Sequence, residues 1–134
     1  MKKNRGQSLI EFALIIPILL GIILITIDLG RAVYYYSVLY NAAREGARYG
    51  IIYPSDTSGI ITTTRNYAIG MNPGDVAVTP QIIIPNASDP SIKYITVSVA
   101  YTFNAVTPLV GTFIGTSTFP ITSKVTMFVE QVKQ

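Results

Sequence analysis

The sequence predicts an α+β protein, with one long N-terminal helix, transmembrane in its first half, packed on a small antiparallel sheet. Three observations carry that expectation. Leu9 to Ile27 is a 19-residue stretch whose only charge is Glu11. Residues 29–50 continue with small residues at helical spacing and polar groups between them. From Asp75 onward the apolar period shortens towards two, the period of a half-buried strand. At 134 residues the chain forms one domain at most beyond its apolar segment.

The first element is set by length and charge. Nineteen residues at about 1.5 Å rise make a helix of roughly 29 Å, the thickness of a bilayer's hydrocarbon core. Lys2, Lys3 and Arg5 precede the run, and the flank beyond it is mixed, with Asp28 and Arg31. The positive-inside bias then places Met1 in the cytoplasm and the C-terminal domain outside. A secretory signal peptide fits less well: the run exceeds a signal core, and no Ala-x-Ala-like site closes it. Pro17 removes a backbone donor and clashes with the carbonyl of Ala13, so a kink is expected there, with Gly21 adding freedom. Glu11 either snorkels to the nearby headgroups or has a buried partner, since an ionisable group inside an apolar run is costly without one.

Past the membrane the same helix can run on to Tyr49. Asp28 and Arg31 form an (i, i+3) pair. Tyr34, Tyr35, Tyr36 and Tyr40 suit an interfacial belt, rings in the headgroup layer and hydroxyls wet, or stacking between subunits. Ala43, Gly46, Ala47 and Gly50 form one face of small residues on which the sheet is expected to pack closely. Arg44 and Arg48 lie at (i, i+4) on the polar side beside Glu45, either solvated or bridging to another subunit.

Turn chemistry from Tyr53 to Gly59 should end the long helix. A short helix is expected from Ile60 to Met71, stopped by Asn72-Pro73-Gly74. Val76 and Val78 begin a strand that Ile82 to Ile84 extend. Ile95, Val97, Val99, Tyr101 and Phe103 then alternate cleanly with polar or small residues, the strongest strand pattern in the chain. Asn86 to Pro90 joins the two as a hairpin. Asn104 to Thr118 is a loop with apolar residues that either packs back on the sheet, the expected case, or touches a membrane or a neighbouring subunit, and Phe119 to Val132 supplies a third strand.

Composition excludes several functions. Without His or Cys there is no zinc site of the usual kind, no thiol nucleophile and no His general base. Asp56, Asp75, Asp89 and Glu130 sit beside turns or near the chain end, so they read as solvated loop charges rather than catalytic acids. No catalytic residue, metal ligand, cofactor or small-molecule substrate is expected. Residues 51–134 hold four basic and four acidic side chains and no basic stripe, which argues against nucleic acid.

The first 50 residues carry a resemblance. Gly6-Gln7-Ser8-Leu9-Ile10-Glu11-Phe12-Ala13-Leu14, then Asp28-Leu29-Gly30-Arg31-Ala32, then Asn41-Ala42-Ala43-Arg44-Glu45-Gly46-Ala47-Arg48-Tyr49 together resemble the TadE-like family of membrane-anchored pseudopilins. Phe12 stands where Flp-type leaders often carry Tyr. The resemblance implies a pilin-like layout and a part in tight-adherence pilus assembly, within the type IV filament superfamily. It also implies that residues 1–6 are a leader, cut between Gly6 and Gln7 by a membrane-embedded prepilin peptidase. Glu11, fifth beyond the cut, would then pair with the new α-ammonium of a neighbouring subunit and set register in a filament. The implied partners are membrane lipid, the peptidase and other pilin-like subunits, including copies of this chain. The competing reading is an uncleaved single-span subunit that stabilises a larger membrane complex.

Overall fold

A computed structural model of the protein describes residues 5–85, 93–107, 111–112 and 115–129. Helix α1 runs unbroken from Arg5 to Ile52, through Pro17. Its 48 residues make a rod of about 72 Å. Pro54 accounts for its end, because the residue before a proline is driven out of the helical region and proline has no N–H to donate. Buried positions on α1 begin in earnest at Asp28 and continue through Leu39, Ala42, Ala43, Gly46, Ala47 and Gly50. That spacing of three and four is one face of a helix. The half before Asp28 is almost wholly bare: Leu9, Ile10, Phe12, Leu14, Ile15 and Ile18 are all exposed.

Helix α2 spans Thr57–Tyr67, starting three residues earlier than the sequence predicts. The reason is its cap. The Asp56 carboxylate accepts from the Gly59 N–H at 2.9 Å, from the Ser58 hydroxyl at 3.2 Å and from the Tyr49 hydroxyl at 2.7 Å. Asp56 is therefore a helix cap tied back to α1, where the sequence suggested a solvated loop charge. These donors, the Gly59 N–H foremost, hold its carboxyl below the usual range, and the Tyr49 hydroxyl's own bond to Asp56 pushes the Tyr49 phenol up. A depressed folded value gives stability that is complete above the unfolded value of about 4 and lost as pH falls through the folded one. Asp56→Asn keeps a capping side chain without the charge. Thermal melts of the two proteins should therefore differ most at neutral pH and draw together as the buffer is taken below about pH 4.

Three strands follow: β1 Val76–Ile83, β2 Lys93–Asn104 and β3 Thr118–Val129, antiparallel in the order β1-β2-β3. Register runs from Val76 opposite Tyr101 to Ile83 opposite Tyr94, and from Lys93 opposite Val129 to Asn104 opposite Thr118. Pro80 sits within β1, an edge strand, where a missing N–H is tolerated. Ile95, Val97, Val99 and Phe103 turn their alternating side chains inward, and Ser123, Val125 and Val129 do the same from β3. Of these, Ile95, Val97, Val99, Val125 and Val129 meet Leu39, Ala42, Ala43 and Ala47 of α1 and Ile60 of α2 in one core. The expected hairpin turn at Asn86 to Pro90, together with Asp89, Glu130 and the end of the third strand, lies outside the described residues.

Candidate functional site

Two parts of α1 carry the groups singled out above: the bare apolar half, and the junction where the helix first meets the sheet. The junction is built around Asp28. Its side chain is buried although it stands one residue beyond the apolar run. The Val106 N–H donates to Oδ1 at 3.1 Å, the Thr107 N–H donates to Oδ2 at 2.8 Å, and Arg31 Nη1 donates to Oδ1 at 2.9 Å. The Thr107 hydroxyl donates as well, and leads the effects that hold the Asp28 carboxyl down to about 2 against the upward pull of burial. A helix side chain thus closes the polar backbone of a loop nearly 80 residues away, which water or an ordinary turn would otherwise have to satisfy.

Arg31 extends the junction. While bound to Asp28, its guanidinium carbon lies 5.2 Å from the centre of the Phe103 ring and 6.0 Å from that of Tyr35. A delocalised cation over ring faces is favourable, the more so where water is partly excluded. Tyr35 meets Tyr101 in a tilted contact at 5.3 Å and Phe103 edge-to-face at 5.8 Å, and Phe103 meets Phe119 at 5.0 Å. Tyr35 is partly buried, its ring packed against the core at the end nearest Asp28. Tyr34, Tyr36 and Tyr40 remain about half exposed on other sides of the helix.

The small-residue face is present, but α2 shares it with the sheet. A methyl group on Gly46 would overlap the Thr64 hydroxyl of α2, and one on Gly50 would lie 2.9 Å from Ile95 Cδ1 and 3.2 Å from Ile60 Cδ1. Ala43 and Ala47 are fully buried beside them. Arg48 donates to Glu45 Oε1 at 3.3 Å within α1, on an exposed surface where such a pair adds little; Arg44 is also exposed. At the other end Gly6, Gln7, Glu11 and Pro17 lie on the uncovered part of the helix.

The junction itself was missing from the sequence reading, which paired Asp28 with Arg31 and went no further. The only trace was an acid directly after an apolar run.

Known families meet the chain in this same helix. Residues 6–48 match the model of the TadE-like protein family. No curated protein and no solved structure matches the chain. The TadE-like segment ends inside α1, so it takes in the apolar half, the Asp28 and Arg31 pair and most of the small-residue face, and leaves out α2 and the sheet. α1 is long and apolar enough to cross a membrane, and within its apolar window only 6% is buried in the protein. A core helix of a soluble protein would be covered there. A TadE-like segment on such a helix fits a membrane-anchored, pilus-associated subunit.

Proposed function

We propose that this chain is a TadE-like, pilin-like subunit that enters, or helps assemble, a tight-adherence or type IV-like surface filament. Its N-terminus lies in the cytoplasm of a bacterial cell and its sheet domain outside the cytoplasmic membrane. The observation that carries the reading is the two-part helix within the TadE-like match: apolar and bare before Asp28, packed against its own domain after it. A bare apolar rod has two stable surroundings, lipid and other such rods, so one element serves for storage in the membrane and for polymerisation.

Gly6 and Glu11 give the second half of the proposal. Cleavage after Gly6 frees an ammonium on Gln7, and the Glu11 carboxylate of a neighbouring helix is its partner of opposite charge. Inside a bundle each charge is costly unless the other is in place, so the pair fixes the axial step between subunits. No active site is required of such a subunit.

Intact mass spectrometry of the native membrane fraction and of material sheared from the cell surface tests the processing step. The expected mass lacks Met1 to Gly6 and carries a methyl group on Gln7. Full-length mass in both fractions would instead favour an uncleaved single-span subunit of a larger membrane complex. Glu11→Ala should leave membrane insertion intact and abolish surface filaments, scored by electron microscopy of the sheared fraction. Normal filaments from that variant would remove Glu11 from the assembly step.

A further inference from the structure

The end of the sheet domain nearest Asp28 carries an apolar groove continuous with the apolar run of α1. Ile25, Leu29 and Ala32 of α1 share an apolar groove of about 200 Å³ with Phe103, Ala105 and Phe119 from the sheet end, beside Asp28. Ile25 belongs to the apolar run, so the sheet end lines the same space as a side chain of the spanning segment. Heights along α1 agree. Asp28 lies about 1.5 Å and Arg31 about 6 Å above Ile27, within the 5–7 Å or so that headgroups add on each side of the hydrocarbon core. The 105–107 backbone, hydrogen-bonded to Asp28, is fixed at that depth, and any tilt of the helix on the side of the sheet brings it lower.

The chemistry of the rim matches the depth. From Tyr94 to Ser123 the chain holds no charged residue. Val106 is 71% exposed and Leu29 64%, at the level where a soluble domain would place polar groups. Among the described residues the acid there, Asp28, is turned inward and neutralised by Arg31 and hydrogen-bonded by backbone N–H groups. We propose that this rim, including the exposed Val106, is seated in the outer leaflet of the membrane that anchors the chain, the groove taking acyl-chain carbon at the level of Ile25. The domain then stands on the bilayer with its β-strand ends in the interface, and the Asp28 junction sets its height.

This rests on the helix spanning a membrane, and the test separates the two. The chain has no cysteine, so Val106→Cys, Ile18→Cys and Thr62→Cys each give one labelling site. All three are exposed side chains. Each full-length variant, carrying a polarity-sensitive fluorophore, is reconstituted into phosphatidylethanolamine and phosphatidylglycerol vesicles. Quenching is read with aqueous iodide and with nitroxide-labelled acyl chains. The label at Thr62, on α2 at the level of Gly46 and Gly50, should be open to iodide. The label at Val106 should be quenched by the lipid nitroxide, as at Ile18, and be severalfold less sensitive to iodide than at Thr62. Iodide quenching at Val106 with lipid quenching at Ile18 overturns the inference and leaves the anchor standing. Protection at Val106 from both quenchers means that a second copy covers the rim, which also overturns it. Iodide quenching at Ile18 overturns the membrane reading itself, and the inference with it.

Discussion

Asp28→Ala should release the 105–107 segment from α1 and loosen the lower half of the domain. Two backbone donors, Val106 and Thr107, lose their acceptor, and Arg31 loses its counter-charge while still held over Phe103. A buried donor left unpaired costs about 1–3 kcal/mol, and Thr107 is fully enclosed, so the upper part of that range applies to it. Hydrogen exchange on the full chain in micelles reads the effect directly. The Val106 and Thr107 amides should exchange faster by one to two orders of magnitude, about tenfold for each 1.4 kcal/mol, while amides at the centre of β2 change far less. Asp28→Asn retains one acceptor oxygen and presents its amide hydrogens to the remaining donor, so it should fall between wild type and Asp28→Ala. Unchanged exchange in Asp28→Ala would mean that the loop is held by something other than the carboxylate.

The same junction has a definite pH response. Its folded value of about 2 lies below an ordinary aspartate's, so its stabilising contribution is present in full above about pH 4 and lost only as acidity approaches pH 2. Protection of Val106 and Thr107, once corrected for intrinsic exchange, should therefore stay flat between pH 7 and pH 4. Ordinary acidity does not open this joint.

What the sequence made legible follows from the range over which each signal acts. The apolar run to Ile27 and the strict alternation from Ile95 to Phe103 are local patterns, and both elements were found where they pointed. Boundaries moved where one side chain decided them: Asp56 starts α2 earlier than the apolar spacing suggests, by capping Gly59. Two features depended on contacts that no local pattern encodes. Asp28 meets residues 78 and 79 positions away, and an acid bound to backbone N–H groups looks in sequence like any acid at a membrane flank. Tyr35 differs from Tyr34 and Tyr36 only in its angle around the helix, which becomes informative once the position of the sheet is known. The small-residue face was legible as a close-packing surface. That α2 shares it was not, because Thr64 and Ile60 are unremarkable residues until the turn at Pro54 folds them back on Gly46 and Gly50.

That face supports the second large effect. Gly46→Ala should destabilise the domain, although alanine favours a helix over glycine by about 1 kcal/mol. The new methyl group would overlap the Thr64 hydroxyl and stand 3.2 Å from Thr64 Cβ. Thr64 cannot simply swing aside: it is fully buried, and its hydroxyl donates to the Ile60 carbonyl at 2.7 Å, so another rotamer strands a polar group in the core. Overpacking costs about 1–3 kcal/mol in addition. The expected net loss is about 2 kcal/mol, a fall in melting temperature on the order of 10 °C for a domain of this size. Two relatives isolate the cause. Gly50→Ala meets Ile95 Cδ1 and Cγ1 at 2.9 and 3.1 Å and Ile60 Cδ1 at 3.2 Å, apolar atoms with no hydrogen bond to strand, so it should cost less than Gly46→Ala. Gly46→Ala combined with Thr64→Ala removes the obstructing hydroxyl together with its need for a partner. It should be more stable than the sum of the two single variants predicts, with a coupling of about 1 kcal/mol or more. Additive melting temperatures would show that α1 and α2 are not in contact at Gly46, and the close approach that gives the small-residue face its purpose would have to be sought between subunits instead.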